Sequence, residues 1–177
     1  MTACPHLETG RLILRPFQAE DLDALAAIRA DERVARFTGG PRSRTDVWTT
    51  ILRSAGMWEL LGFGYWAACD RESGALIGEV GFADFQRGMV PDISGLPEAG
   101  WIIAPEAWGA GLASEAVAAI HAWLDSARPG RSVCIISPEN AASVRIALKQ
   151  GYRETSQGQL GEARVTVYHR EPPQSRA

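Results

Sequence analysis

The sequence has few of the residues and patterns that mark secreted, membrane-spanning or metal-binding chains. Its three cysteines, Cys4, Cys69 and Cys134, are too few and too scattered for a disulfide framework, and they lack the spacing of metal ligands. No apolar run reaches the ~20 residues that span a bilayer, and the first residues lack the basic segment and long apolar stretch of a secretory signal. We therefore expect a cytoplasmic protein without a metal and without a membrane partner.

Positive charge is also sparse. The chain carries 18 basic and 21 acidic residues, which gives a net charge of −3, and Lys149 is its only lysine. The sequence has no basic block or stripe of the kind that tight nucleic-acid binding requires, so we expect no nucleic-acid partner. Nothing in the sequence fixes the oligomeric state, and a homodimer stays open.

The length of 177 residues favours one domain spanning 1–177, with a core at about 7–170. Alternating or continuous apolar patterns predict strands, and apolar residues at helical spacing predict helices. The predicted strands are 11–17, 63–70, 75–85, 98–105, 132–138, 152–157 and 163–170. The predicted helices are 19–31, 44–61 with an interruption near Gly56, 111–127 and 140–151.

The order of these segments predicts an α/β fold with a mixed sheet. The strand 98–105, the helix 111–127 and the strand 132–138 form a crossover, and such a crossover joins parallel strands. The segments 63–70 and 75–85 flank the turn sequence RESG and predict an antiparallel hairpin. The sheet is therefore expected to change direction near its middle.

The stretch WGAGLASEA at 108–116 places two glycines just before an alanine-rich helix. The first N–H groups of a helix have no internal partner, and the helix dipole adds partial positive charge there. The glycines leave these groups accessible because they carry no Cβ. The turn is therefore a candidate site for a diphosphate, with a tight turn for close helix packing as the alternative. It is neither a P-loop nor a complete dinucleotide fingerprint.

Two longer segments, PEAGWIIAPEAWGAGLASEA at 97–116 and NAASVRIALKQGYRE at 140–154, resemble the GCN5-related N-acetyltransferase (GNAT) family. The similarity is closest to the branch with ribosomal-protein alanine N-acetyltransferases, and it covers nearly the whole chain, starting at 7–25. It implies a mixed, mostly antiparallel sheet with a splayed parallel strand pair, flanked by helices. It also implies an enzyme that transfers an acetyl group directly from acetyl-CoA to a primary amine in a ternary complex.

The resemblance also implies which residues contact acetyl-CoA. The diphosphate is expected on the backbone of the turn, at Trp108, Gly109, Ala110, Gly111, Leu112 and Ala113. Trp108 stands where other members of the family have glutamine or arginine. The pantetheine arm is expected along Ile102 and Ile103, whose backbone would also polarise the thioester. Asn140 and Arg145 are expected as further contacts, although a solvated helix face explains the charge of Arg145 equally well.

Acetyl transfer to an amine needs a neutral amine, a donor for the oxyanion and a proton for the leaving thiolate. Glu98 is the candidate base, with Glu79 in the preceding strand as the second candidate and a solvated carboxylate as the alternative. Glu115 fits charge complementarity with the helix start better than catalysis. By resemblance, Ser143 is the candidate acid, because the position where many relatives carry a tyrosine is Ala147 here. A local hydrogen bond in the first helical turn is the alternative for Ser143.

No motif identifies the acceptor. A protein N-terminus fits the resemblance, while a small-molecule amine (an antibiotic, a polyamine or an amino acid) and a non-catalytic acyl-CoA-binding module remain alternatives. The helix around Trp58 and the loop 86–97 are the expected acceptor walls, and the Gly and Pro content of the loop fits an adaptable lid. Whether the acyl group is strictly acetyl also stays open.

Overall fold

The computed structural model describes residues 4–173. Its β-strands are β1 (Leu7–Glu8), β2 (Leu12–Arg15), β3 (Tyr65–Asp70), β4 (Leu76–Ala83), β5 (Glu98–Ile103), β6 (Ser132–Ile136), β7 (Arg153–Leu160) and β8 (Ala163–Arg170). Its α-helices are α1 (Leu22–Ala30), α2 (Glu32–Ala35), α3 (Arg44–Leu61), α4 (Leu112–Ala127) and α5 (Ala141–Lys149), and short 3-10 helices lie at Ala19–Asp21 and Pro105–Ala107. Within the described range the fold is mixed α/β with mostly antiparallel strands and one parallel pair, so the predicted class is confirmed.

The chain divides into two compact units, which consist of residues 4–81 with 101–119 and of residues 82–100 with 120–173. In the first unit, β1, β2, β3 and β4 lie side by side in that order and run antiparallel. Helices α1 and α3 pack together through the buried side chains of Leu25, Val47 and Ile51. The buried residues Val47 and Ile51 are four positions apart on α3, and Leu25 and Ile28 are three positions apart on α1. This helical spacing explains why both segments bury one face as helices.

Helix α3 is continuous over 18 residues, so the predicted interruption near Gly56 is wrong. The helix begins at a capping box, in which Ser43 and Asp46 each accept a hydrogen bond from the other's backbone N–H, and it ends at Gly62, which has a φ of 69°. A glycine inside a helix costs about 1 kcal/mol relative to alanine but does not end it. The buried residues recur every three or four positions on both sides of Gly56 and hold the helix together.

Strands β4 and β5 come into close contact at Gly78. A Cβ at position 78 would overlap the carbonyl oxygen of Ile102, so this position requires glycine. Beside it, the N–H of Ala104 donates to the carbonyl oxygen of Ile77 at 2.7 Å. These contacts fix the end of β5 against β4, immediately before the 3-10 helix and the glycine turn.

In the second unit the strands follow the order β5, β6, β8 and β7. β5 and β6 are the parallel pair, and a single pair of residues, Glu98 and Val133, carries their register. The N–H of Val133 donates to the carbonyl oxygen of Pro97 at 3.0 Å. Pairing at one end of two strands is the pattern expected for a splayed pair.

The loop 84–97 is more firmly held than its Gly and Pro content suggests. Met89 and Ile93 are buried in a cluster with Val133, Val165 and Val167. The loop also closes on itself, because the N–H of Gly95 donates to Asp84 Oδ2 at 3.1 Å. The adaptable lid expected from composition is therefore anchored at its centre.

A buried polar cluster joins α4, β6 and Tyr152, which lies shortly after the end of α5. The hydroxyl of Tyr152 lies 2.9 Å from His121 Nε2 and 2.9 Å from Ser132 Oγ. All three side chains are buried, and desolvation raises the pKa of Tyr152 above its ordinary value. The cluster satisfies polar groups that would otherwise be costly inside the core. His121 therefore has a packing role in the core.

The remaining element boundaries follow the sequence patterns closely. The predicted helices at 19–31, 111–127 and 140–151 correspond to α1, α4 and α5, and both strands of the predicted hairpin are present. The sequence pattern missed the two-residue strand β1 and the single-turn helix α2, which are too short to show a period. In the part of the chain described, none of the helices combines the length and apolarity that a membrane span needs.

Candidate active site

The turn before α4 is built around two glycines in the left-handed region. Gly109 and Gly111 both have a φ of 78°, which side chains of L-residues rarely allow. A Cβ at Gly109 would meet nothing within 4 Å, and one at Gly111 would meet only the Arg11 guanidinium, at 3.8 Å. The outer side of the turn is therefore open. The glycines are needed for the backbone conformation and leave room for a ligand to approach.

The backbone donors of this turn are available. Among residues 4–173, none accepts a hydrogen bond from the N–H of Gly109, Ala110 or Gly111. Gly111 precedes the first helical residue, Leu112, and has no side chain that could cap the helix. Leu112 and Ala113 belong to the first turn of α4, whose N–H groups lack partners within the helix. The turn and helix start thus present a row of N–H donors and the positive end of a helix dipole.

Trp108 fixes the near end of the turn. Its indole N–H donates to the carbonyl oxygen of Ile103 at 2.7 Å, while about half of the side chain stays exposed. The hydrogen bond ties the turn to the last residue of β5. Ile103 is buried and Ile102 is half-buried, so this strand end is part of the packed structure rather than a loose segment. The Trp108 side chain therefore holds the turn in place. This role is not expected from the motif, which predicts only backbone contacts.

A cluster of Thr9, Arg11 and Glu115 fastens the far end of the turn. Glu115 Oε1 accepts from Thr9 Oγ1 at 2.6 Å and from the Arg11 N–H at 2.9 Å, and Glu115 Oε2 accepts from Arg11 Nε at 2.8 Å. Arg11 Nη1 donates to the carbonyl oxygen of Ala110 at 2.8 Å. The Thr9 hydroxyl and Arg11 hold the pKa of Glu115 below its ordinary value. Glu115 therefore serves as an anchor for the turn, beyond complementing the helix dipole.

Two buried polar atoms in this region are left unsatisfied by the described residues of the protein. Trp101 Nε1 and Ser114 Oγ are buried and have no hydrogen-bond partner within residues 4–173. Buried polar groups are normally satisfied, so such groups call for a partner. They belong to β5 and to the first turn of α4, the two elements that flank the open glycine turn. Open backbone donors together with orphaned polar atoms are the features that a ligand with phosphate and amide groups requires.

The candidate base Glu98 is buried, with an exposed fraction of 6%. Both of its carboxylate oxygens accept from Arg87, at 2.9 Å from Nε and 2.9 Å from Nη2. Arg87 lies in the loop 84–97 and stacks over the Phe85 ring at 4.3 Å. Glu98 is therefore not the solvated strand-end carboxylate that was the alternative. Both of its oxygens are instead engaged by the Arg87 guanidinium.

The second candidate base, Glu79, lies in β4 and is fully buried. Arg29 of α1 forms an ion pair with Glu79 Oε1, and both residues belong to the first unit. Neither carboxylate oxygen has a hydrogen bond of regular geometry within the described residues. A buried carboxylate without an ion partner would be strongly unfavourable, and Arg29 supplies that partner for Glu79.

The start of α5 is capped by the side chain of the residue that precedes it. Asn140 Oδ1 accepts from the N–H of Ser143 at 3.1 Å, which makes Asn140 the predicted N-cap. The bond uses the backbone of Ser143, and the Ser143 side chain is half-buried. Arg145 is exposed on the same helix, and Ala147, which stands where many relatives carry a tyrosine, is fully buried.

Sequence reasoning missed the arginines that accompany the predicted acidic residues. Arg11, Arg29 and Arg87 contact Glu115, Glu79 and Glu98, respectively. No local pattern pairs these residues, because their partners come from other elements of the chain. The one available signal is that 17 of the 18 basic residues are arginines, the side chain that suits bidentate carboxylate contacts.

Known proteins resemble this chain over most of its length. A family model described as an acetyltransferase (GNAT) domain matches residues 11–153. The uncharacterized N-acetyltransferase YoaA of Bacillus subtilis (strain 168) is 30% identical over 154 residues, which are 85% of this chain and 84% of YoaA. A solved Bordetella pertussis protein described as a GNAT-family acetyltransferase is 31% identical with a TM-score of 0.83, covering 94% of this chain and 99% of that one.

A more distant solved structure is similar in fold. The ribosomal L7/L12 alpha-N-protein acetyltransferase RimL, in complex with coenzyme A, is 13% identical with a TM-score of 0.75, covering 94% of this chain and 98% of that one. At this level of identity the likeness shows the fold alone.

Proposed function

Because the chain belongs to the GNAT acetyltransferase family, we propose that it transfers the acetyl group of acetyl-CoA directly to the α-amine of a protein N-terminus. The observation that carries the proposal is the open glycine turn at the start of α4, with its unclaimed backbone donors. The fold alone does not define the acceptor. We therefore infer the acceptor from the chemistry of the two candidate bases.

In this proposal, each predicted contact has a defined task. The N–H groups from Gly109 to Ala113 bind the diphosphate, and Trp108 holds the turn in place. The backbone at Ile102 and Ile103 pairs with the pantetheine amides, as an added strand would. Asn140 and Arg145 provide further contacts to the cofactor. Acetyl-CoA supplies the activated acetyl group as a thioester.

The state of the two candidate bases favours an α-amine as acceptor. Glu98 has both oxygens bonded to Arg87, and Glu79 is paired with Arg29. An α-amine titrates near 8, whereas a lysine amine titrates near ~10.4. An α-amine is therefore partly neutral at neutral pH and needs little help, while a lysine amine needs a base of its own. Glu98 accepts the proton that the acceptor amine loses during acetyl transfer, directly or through water.

Ser143 completes the proposed chemistry by donating its hydroxyl proton to the departing sulfur. Asn140 fixes the backbone of Ser143 through the N-cap hydrogen bond, and the hydroxyl extends from this fixed first turn of α5. Ala147 has no titratable group, so the helix offers Ser143 as the hydroxyl in the place of the usual tyrosine. The α-amine acceptor also agrees with the activity for which RimL is named, that of an alpha-N-protein acetyltransferase.

An acceptor screen with labelled acetyl-CoA tests this function. The panel contains peptides with free alanine or serine N-termini, the same peptides with a blocked N-terminus and one lysine, polyamines, aminoglycosides and free amino acids. We expect kcat/KM to be highest for free N-termini and at least tenfold lower for the blocked lysine peptides. A preference for a small amine would replace the acceptor, and binding of CoA without turnover on any amine would contradict catalysis.

Two substitutions test the assigned chemistry. Ser143→Ala is expected to lower kcat by ~10²-fold with little change in KM, as general acids typically contribute at least that much. Ser126→Ala, at an exposed position near the end of α4, is the control and should change neither value. Glu98→Gln is expected to lower kcat most at low pH and to recover partly as the neutral amine fraction rises. A loss of less than about threefold in both variants would leave proximity as the main source of catalysis.

A further inference from the structure

Arg11 contacts two parts of the α4 start at the same time. One side of its guanidinium bonds the Glu115 carboxylate through Nε at 2.8 Å and Nη2 at 2.6 Å, and Nη1 bonds the Ala110 carbonyl oxygen at 2.8 Å. The backbone N–H of Arg11 adds a further bond to Glu115. Arginine suits this task because its planar fork presents several donors in fixed directions. The turn between β1 and β2 is thereby fastened to the glycine turn, about 100 positions later in the chain.

The contact with Ala110 orients the next backbone donor. In a planar trans peptide, the C=O of one residue and the N–H of the next point in opposite directions. When Arg11 holds the Ala110 carbonyl on its own side, the N–H of Gly111 points away from Arg11. The carbonyl of Gly111 accepts the N–H of Glu115 at 3.1 Å, so the following peptide is fixed by the helix itself. Arg11 thus holds the Ala110–Gly111 peptide directly, and the helix holds the peptide that follows it.

Arg11 also neutralises a charge that would oppose an anionic ligand. Glu115 is in the first turn of α4, where a free carboxylate would lie close to any diphosphate on the turn. Its two oxygens are instead directed to Thr9 and Arg11. The positive potential of the helix start is therefore left for the ligand. Removing Arg11 would release both the Ala110 carbonyl and the negative charge of Glu115.

We propose that Arg11 is a positioning residue for the diphosphate turn, which orients the Gly111 N–H and cancels the charge of Glu115. The inference rests on the proposed binding of the acetyl-CoA diphosphate at this turn. Arg11, a side chain on the first hairpin, acts on CoA binding through the backbone of the turn and takes part in no chemical step.

Calorimetry with CoA tests the proposal on matched variants. Arg71 is the control, because it lies in the β3–β4 turn, is as exposed as Arg11 (49% against 51%) and bonds Glu8 and the Thr9 carbonyl of the first hairpin rather than the glycine turn. Arg11→Ala should weaken CoA binding by about tenfold, since a charge-assisted hydrogen bond and a neutralised charge are both lost. Arg71→Ala should bind CoA as the wild type does. Arg11→Lys, which cannot hold both partners, should fall between them.

The charge argument has its own readout. In the Arg11→Ala background, Glu115→Gln should restore CoA affinity by about threefold, because the uncompensated carboxylate is removed. In steady-state kinetics, Arg11→Ala should raise the KM for acetyl-CoA while kcat and the acceptor KM stay unchanged. If Arg11→Ala does not fold, Arg11→Lys carries the same measurements.

The outcomes separate this inference from the proposed function. Equal CoA affinity in Arg11→Ala and Arg71→Ala overturns the positioning role. If Gly111→Val also binds CoA like the wild type, the turn is not the diphosphate site and the function proposed for it fails. If Gly111→Val loses binding while Arg11→Ala keeps it, the site stands and the role of Arg11 does not.

Discussion

Helices α3 and α4 begin with similar chemical parts that are arranged in opposite ways. At α3, Ser43 Oγ accepts from the N–H of Asp46 at 3.2 Å, and the Asp46 carboxylate accepts from the N–H of Ser43 at 3.1 Å. At α4, a glycine stands before the helix and the first-turn acid, Glu115, is turned to Thr9 and Arg11. One helix start satisfies its own donors, and the other leaves them open.

The comparison separates a structural helix start from a candidate binding site. A capping box satisfies orphan N–H groups within the chain and stabilises the helix. An open start lacks that stabilisation and depends on other elements to hold its shape, here Trp108 and Arg11. The acid in the first turn does not distinguish the two cases by itself. The direction of the carboxylate does, because it decides whether the N–H groups stay available.

The largest effect is expected when the open start is blocked. Gly111→Val should weaken CoA binding by at least tenfold, because a β-branched side chain is strained at a φ of 78° and would cover the donors of the turn. Gly74→Val is the matched control, since Gly74 has a φ of 72° and open space around it but lies in the β3–β4 turn. Calorimetry with CoA and thermal melts should show similar losses of stability and a loss of affinity in Gly111→Val alone.

A smaller effect is expected when the closed start is opened. Ser43→Ala should lower the free energy of unfolding by about 1 kcal/mol, the usual cost of losing an N-cap. CoA affinity should be unchanged, because α3 satisfies its donors for stability alone. Chemical denaturation and calorimetry measure both values. A clear drop in CoA affinity in this variant would contradict the division between the two helix starts.

The smallest effect concerns the pH dependence of the Glu115 contacts. The folded-state pKa of Glu115 is lowered, first by the Thr9 hydroxyl and then by Arg11, so its stabilisation is present above the unfolded value and is lost as the pH falls through the folded one. The contribution should stay below about 1 kcal/mol, because the partner Arg11 is half exposed. The stability difference between wild type and Glu115→Gln should be present at pH 7 and shrink below about pH 4.3. A difference that is constant with pH would mean that the ion pair contributes nothing to folding.

Several parts of the fold and site follow from local sequence patterns. The helical spacing in 19–31 and the alternation in 11–17 predict α1 and β2, and Asn140 is recognisable as the N-cap of α5. The missing interruption at Gly56 shows the limit of such reasoning, because packing along α3 outweighs one unfavourable residue. The loop 84–97 shows it again, since burial of Met89 and Ile93 holds a segment whose composition suggests freedom.

The sequence by itself determined the longer helices and strands, and it located the glycine turn before α4, because these features depend on neighbours within a few positions. The tertiary structure alone decided where the charges are directed. Glu115 and Arg11 are 104 positions apart, and only the folded chain brings them together. An ion pair depends on distance in space, which no local period encodes. The openness of the α4 start is therefore a property of the folded chain.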